Sequence, residues 1–233
     1  MPTNKIIVAL DFDEADRALR LVLQIKEYLT CFKVGSQLFT REGPDIVRRL
    51  RDLGVDVFLD LKFHDIPETV RKSVRAASGL GLKFLTVHAS GGSAMLEAAL
   101  DGAREHGTTV LGVTVLTSMD EAALRKTGAS RPPAEQVLHL AQLGHAAGLR
   151  GLVCSPLEIE AIRATLGPKM TLVTPGIRGA SDAAGDQKRT LSATEALRRG
   201  ADYLVVGRPI TQSDDPQGAA IALYSEVASA EGK

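Results

Sequence analysis

The sequence predicts a single (β/α)₈ barrel, and three observations carry that reading. Its length of 233 residues suits one such barrel, which takes about 250. Short apolar runs alternate with amphipathic stretches, eight of each. Nearly every apolar run ends on a polar residue, always at the C-terminal end. Nearly continuous apolar strands are what a parallel sheet covered on both faces requires. Strict alternation with helices gives the right-handed crossovers that such a sheet uses. A doubly wound open sheet is the alternative. No internal repeat or low-complexity linker marks a second domain, so residues 1–233 are read as one.

The first strand is Ile6 to Leu10, closed by Asp11. Glu14 to Tyr28 carries Ala15, Ala18, Leu19, Val22 and Leu23 at helical spacing. Cys31 to Val34 is the second strand, and Gly43 to Leu53 a helix with Ile46, Val47 and Leu50 on one face. Val57 to Leu61 is the third strand. Ile66-Pro67-Glu68-Thr69 opens a helix to Ser78, with proline pre-setting the first turn. Phe84 to His88 is the fourth strand, Gly92 to His106 its helix, and Thr109 to Val115 the fifth strand.

Residues 117–133 break the rhythm and read as a loop with a short helix, ended by Pro132-Pro133. Ala134 to Ala147 is helical, Gly151 to Cys154 the sixth strand, Leu157 to Leu166 its helix, and Thr171 to Thr174 the seventh strand. The segment from Gly176 to Thr190 is polar and glycine-rich, and reads as a mobile loop. Ser192-Ala-Thr-Glu195 has the pattern of a capping box. Tyr203 to Val206 is the eighth strand, and Pro216 to Ala230 the closing helix.

Composition excludes several functions. Lys+Arg and Asp+Glu both number 28, so no general affinity for nucleic acid or an anionic membrane is expected. The apolar runs fall far short of the ~20 residues that span a bilayer, and no leader segment is expected before the first strand. Cys31 and Cys154 lie in separate apolar runs without metal-ligand spacing, as buried reduced thiols of a cytoplasmic protein would.

The polar residues fall into one register. Asp11 ends strand one, Lys33 lies on strand two, Asp60 and Lys62 end strand three, and His88 ends strand four. Thr117 follows strand five, Arg178 follows strand seven, and Gly207-Arg208 ends strand eight. In a barrel these ends share one rim, where barrel enzymes place their chemistry. Asp11 also suits a helix cap, and His88 a satisfied core histidine.

The densest cluster is Asp60-Leu61-Lys62-Phe63-His64-Asp65. Residues two apart on a strand share a face, so Asp60 and Lys62 are expected side by side, with Asp65 just beyond. Such charges are costly in a dry site unless they act on each other or on a ligand. Barrels often bind phosphate with the loops after strands seven and eight. Gln187, Gly207 and Arg208 lie there; glycine admits close backbone approach, and arginine offers a fork for phosphate oxygens. No GxxxxGK[ST] loop occurs.

These segments resemble the shorter bacterial orotidine 5′-phosphate decarboxylases. Asp60-x-Lys62-x-x-Asp65-Ile66-Pro67-x-Thr69 looks like that family's signature. Val8-Ala9-Leu10-Asp11, Lys33-Val34-Gly35, Thr86-Val87-His88-Ala89, Leu116-Thr117-Ser118, Val173 to Arg178, Gly185-Asp186-Gln187 and Val206-Gly207-Arg208-Pro209-Ile210 match in order, across essentially the whole chain. The resemblance implies a cofactor-free, metal-free enzyme that converts orotidine 5′-phosphate to UMP and CO₂ in the last step of de novo UMP synthesis. It also implies a homodimer with each site at the interface. By the same resemblance Lys62 is the proton donor. Lys33 and Asp60 complete the charged array, and Asp65 reaches in from the other subunit. Asp11 holds the ribose, Thr69 and Thr117 belong to the substrate site, and Arg178, Gln187, Gly207 and Arg208 hold the phosphate. A Mg²⁺-dependent sugar-phosphate enzyme on the same barrel and a silent nucleotide-binding module are the rivals.

Overall fold

The computed structural model describes residues 3–177 and 191–231. Eight parallel strands close into a barrel in chain order: β1 (Thr3–Ala9), β2 (Leu29–Gly35), β3 (Asp56–Phe63), β4 (Phe84–His88), β5 (Thr109–Val113), β6 (Gly151–Val153), β7 (Thr171–Thr174) and β8 (Tyr203–Val206). Every neighbouring pair is parallel, and β1 pairs with β8 to seal the ring. The open-sheet alternative is thereby ruled out.

The helices lie outside. α1 (Ala15–Ile25) buries Ala15, Ala18, Leu21, Val22 and Ile25 as one stripe and stops before the expected Tyr28. Leu23, expected on that stripe, faces outward. α2 (Ser36–Glu42) has no counterpart in the sequence reading, because only Leu38 of its seven residues is buried. It braces the turn after β1: the Glu42 carboxylate accepts from the Ala15 N–H at 3.2 Å, and the Gln37 amide donates to Asp13. α3 (Asp45–Asp52) buries Ile46, Val47 and Leu50 as expected.

α4 (Pro67–Ser78) begins on its proline, and α5 (Ser93–Ala103) packs closely against it. The loop after β5 holds α6 (Glu121–Lys126), the short helix expected there. α7 (Pro133–Ala146) and α8 (Ile159–Leu166) follow. α9 (Ala193–Arg198), α10 (Arg208–Thr211) and α11 (Pro216–Glu231) complete the ring. At α9 the expected reciprocal cap is half present: Ser192 accepts from Glu195 N–H, while the Glu195 carboxylate turns to Arg199. The full capping box is Ser155-Pro-Leu-Glu158 after β6, where each side chain bonds the other's backbone. Among the described residues, no helix is long and apolar enough to cross a membrane.

Period-two alternation divides the strand side chains into two layers. Ile6, Val8, Phe32, Val57, Leu85 and Leu172 point outward to the helices. Ile7, Ala9, Cys31, Phe58, Phe84, Leu111, Val173 and Val205 fill the barrel's inside. Phe84 meets Phe58 and Tyr203 edge to face, with ring centroids 5.9 and 5.0 Å apart. Below them Lys83 lies over the Phe84 and Tyr203 rings and pairs with Asp56 at 2.8 Å, closing the N-terminal end. Cys31 sits in this plug, and burial pushes its thiol up to about 12, against the pull of Lys83. The barrel therefore has a dry floor, and its polar inward positions lie at the other end.

Candidate active site

The alternation that seals the floor also builds the site. Inward positions two residues beyond the apolar layer are Asp11 after Ala9, Lys33 after Cys31, and Asp60 after Phe58. These side chains meet. The Lys33 ammonium lies 3.0 Å from Asp11 Oδ1 and 3.8 Å from Asp60 Oδ2, and the Lys62 ammonium lies 2.8 Å from that same Asp60 oxygen. Acid and base alternate along the row Asp11, Lys33, Asp60, Lys62. Asp11 is not the helix cap: α1 is preceded by Glu14, whose side chain makes no cap either.

Asp60 is the most deeply held acid of the row, its side chain 14% exposed. Burial works against its charge. Lys33 and Lys62, with hydrogen bonds from Lys62 and Thr86, outweigh that cost and hold its carboxyl below the usual aspartate range. His88 points inward two residues beyond Thr86 and packs against His64, the rings tilted by 41° with centroids 5.4 Å apart. Burial, then the neighbouring His64 and Lys62, lower its affinity for a proton, against a weaker pull from Asp60.

Lys62 reaches Asp60 by a route that strand alternation did not foresee. It is the one non-glycine residue with positive φ among the described residues, at 52°. The β3–β4 ladder runs from Leu59 opposite Leu85 to Phe63 opposite Val87, so four steps on one strand match two on the other. The two side chains meet across this bulge and not as neighbours on a regular pleat. A left-handed lysine costs about 1–2 kcal/mol, and such strain gathers at functional sites.

One cavity opens above the floor. It is lined by Asp11, Lys33, Asp60 and Lys62, by Thr117, and by Gly207 and Arg208. Seven of the residues singled out from sequence are thus brought together. Its apolar wall, including Val115, Leu116, Pro175 and Ile177, was not foreseen, because apolar residues at strand ends look like any core position. Asp65 and Thr69 lie outside this lining, both exposed; the Asp65 carboxylate accepts from the Ile66 N–H at 2.6 Å. Arg178 and Gln187 lie outside the described residues.

Gly35 was quoted only as part of a motif, but it has a steric role. A Cβ there would stand 2.9 Å from Lys33 Nζ and 3.4 Å from Asp11 Oδ1. Its φ of −90° suits any residue, so glycine is needed for room and not for conformation. Thr86 was also missed. A lone hydroxyl inside the run Phe84-Leu85-Thr86-Val87, on the inward face, was the available signal.

Among the described residues, no three acidic, imidazole or thiol groups converge as metal ligands. The profile of the Orotidine 5'-phosphate decarboxylase / HUMPS family matches residues 4–223. An orotidine 5′-phosphate decarboxylase of Nitrosococcus oceani is 48% identical over 229 residues, covering 97% of this chain and 99% of that protein. The one of Halorhodospira halophila is 50% identical, covering 97% of both chains. A crystal structure of orotidine 5′-phosphate decarboxylase from Lactobacillus acidophilus superposes with a TM-score of 0.85 at 37% identity, over 97% of this chain and 99% of that one. With the charged row at the rim of a closed barrel and this likeness along its whole length, the chain belongs to the orotidine 5′-phosphate decarboxylase / HUMPS family.

Proposed function

We propose that this protein converts orotidine 5′-phosphate to UMP and CO₂, the last step of de novo UMP synthesis, and that Lys62 protonates C6. The observation that carries the reading is the alternating row Asp11–Lys33–Asp60–Lys62 inside a cavity that also holds Gly207 and Arg208. Loss of CO₂ from C6 leaves a carbanion in the ring plane, where the ring π-system delocalises it poorly. Lys62 is a compact cation that attracts this charge as it forms and then delivers a proton. Its strained backbone and its contact with Asp60 fix the ammonium before substrate arrives, so position contributes more than acidity.

Asp60 stands beside the departing carboxylate. Two such charges ~4 Å apart repel by about 4 kcal/mol at an effective dielectric near 20. The repulsion vanishes as neutral CO₂ leaves. It requires Asp60 to be ionised, which the flanking lysines secure. Asp11 holds the ribose, Thr117 lies by the pyrimidine, and Gly207 and Arg208 take the phosphate, joined by Arg178 and Gln187. Phosphate binding supplies energy remote from the reacting carbon, which helps the reaction when it is realised in the transition state.

The working unit in this reading is a homodimer. Asp65 and Thr69, exposed here, complete the partner's site, and Ile66 between them presents 67% of its surface. The enzyme acts in the cytoplasm on a free nucleotide, without nucleic-acid or membrane partners, in keeping with its balanced charge. It uses no metal or cofactor. Treating purified protein with EDTA, adding orotidine 5′-phosphate and following the ultraviolet change toward UMP tests the reading. Undiminished turnover is expected; activity restored only by Mg²⁺ would favour the metal-dependent sugar-phosphate chemistry of related barrels.

A further inference from the structure

Thr86 lies fully buried in β4, directly behind the charged row. Its hydroxyl oxygen is 2.9 Å from the Lys62 backbone nitrogen and 2.9 Å from Asp60 Oδ1. The direction of both bonds follows from chemistry. A backbone N–H can only donate and an ionised carboxylate can only accept, so the hydroxyl accepts from Lys62 and donates to Asp60. The bulge explains the need. Between the Leu59–Leu85 and Phe63–Val87 pairs the ladder lapses, and the Lys62 N–H takes its bond from a side chain of β4. Without that oxygen a half-buried donor would lose its partner, and a left-handed lysine would lose its tether.

We propose that Thr86 is a positioning residue for decarboxylation: one hydroxyl locks the left-handed backbone of Lys62 and aims the Asp60 carboxylate. This rests on the roles given above to Lys62 and Asp60. Thr86 does not line the cavity. It sets the geometry of the two groups that do, from below.

The test is a set of Thr86 variants assayed on orotidine 5′-phosphate, with UMP affinity measured separately. Thr86→Val keeps the shape and removes both hydrogen bonds. Its kcat is expected to fall about 10- to 100-fold, the effect of losing one well-placed charge-assisted bond. UMP affinity is expected to stay within about threefold, because the ribose and phosphate contacts are elsewhere. The acid limb of the pH profile should move to higher pH, since Asp60 loses one bond to its charged form. Thr86→Ser restores the hydroxyl and should restore kcat to within a few-fold. If the valine variant does not fold, Thr86→Cys against Thr86→Ser decides: serine retains kcat and cysteine loses it. Equal kcat in the serine and cysteine variants would overturn the proposal. So would a valine variant at parental kcat, or a UMP affinity that falls in step with kcat. Absence of decarboxylation in the parent protein would instead refute the reading of the site on which the proposal stands.

Discussion

Gly35 and Lys33 share the inside of β2, and a single methyl group at Gly35 would stand 2.9 Å from the Lys33 ammonium. Glycine is present here because the ammonium needs its space. Gly35→Ala should therefore shift Lys33 off Asp11 and Asp60 and lower kcat by about 10- to 100-fold, as small misplacements of catalytic groups do. Stability should hardly change, because the φ of −90° is open to alanine. Matched kinetics and thermal unfolding would show it; a variant with parental kcat would mean that the ammonium has room to spare.

Lys62→Ala removes both the proton donor and the cation beside the forming carbanion. Turnover should drop by at least ~10²–10⁴, more if the electrostatic contribution dominates. Release of CO₂ from carboxyl-labelled substrate measures this directly. Activity within tenfold of the parent would take Lys62 out of the mechanism.

Arg208→Ala should raise KM and lower kcat/KM while the barrel stays folded, because Arg208 is assigned to the phosphate, which never reacts. Comparing orotidine 5′-phosphate with the nucleoside orotidine sharpens the result: the variant's defect should shrink on a substrate that lacks the phosphate. An equal loss on both would move Arg208 away from that group.

If Asp65 serves the neighbouring subunit, two inactive proteins should rescue each other. A Lys62→Ala chain mixed with an Asp65→Ala chain gives hybrid dimers with one intact site. Random exchange restores about a quarter of all sites. Activity that stays at the level of the separate variants after subunit exchange would place Asp65 in its own chain's site or outside catalysis.

His88 makes one contribution to pH dependence whose sign is fixed. Folding lowers its affinity for a proton, so as pH falls below about 6.5 the unfolded chain takes up that proton first. Stability is lost from there down to the lower pH at which folded His88 protonates, and the penalty is constant below it. Urea midpoints should thus fall between pH 7.5 and 5 more steeply in the parent than in His88→Asn. Parallel slopes would show that other groups carry the whole dependence.

Apolar periodicity was enough to lay out the barrel, because each strand is buried on both faces and each long helix on one. α2 escaped notice because a seven-residue helix with one buried side chain has no period to read. The same rule places Lys33 and Asp60 inward, since each follows an apolar inward residue by two. It also predicts Asp60 and Lys62 side by side, as they are, but not the bulge and left-handed turn through which the ammonium reaches Asp60.

The order of the residues thus determined the strands, their inward faces and the gathering of acids and bases at one rim. Closure of the sheet decided the rest. It set Thr86 of one strand beneath Asp60 and Lys62 of the next, kept Gly35 bare for an ammonium, and left Asp65 and Thr69 outside the cavity. The Thr86 contacts join separate strands through hydrogen bonds of a few ångströms. Such distances follow from register, bulge and packing between segments, and no local pattern along one segment encodes them.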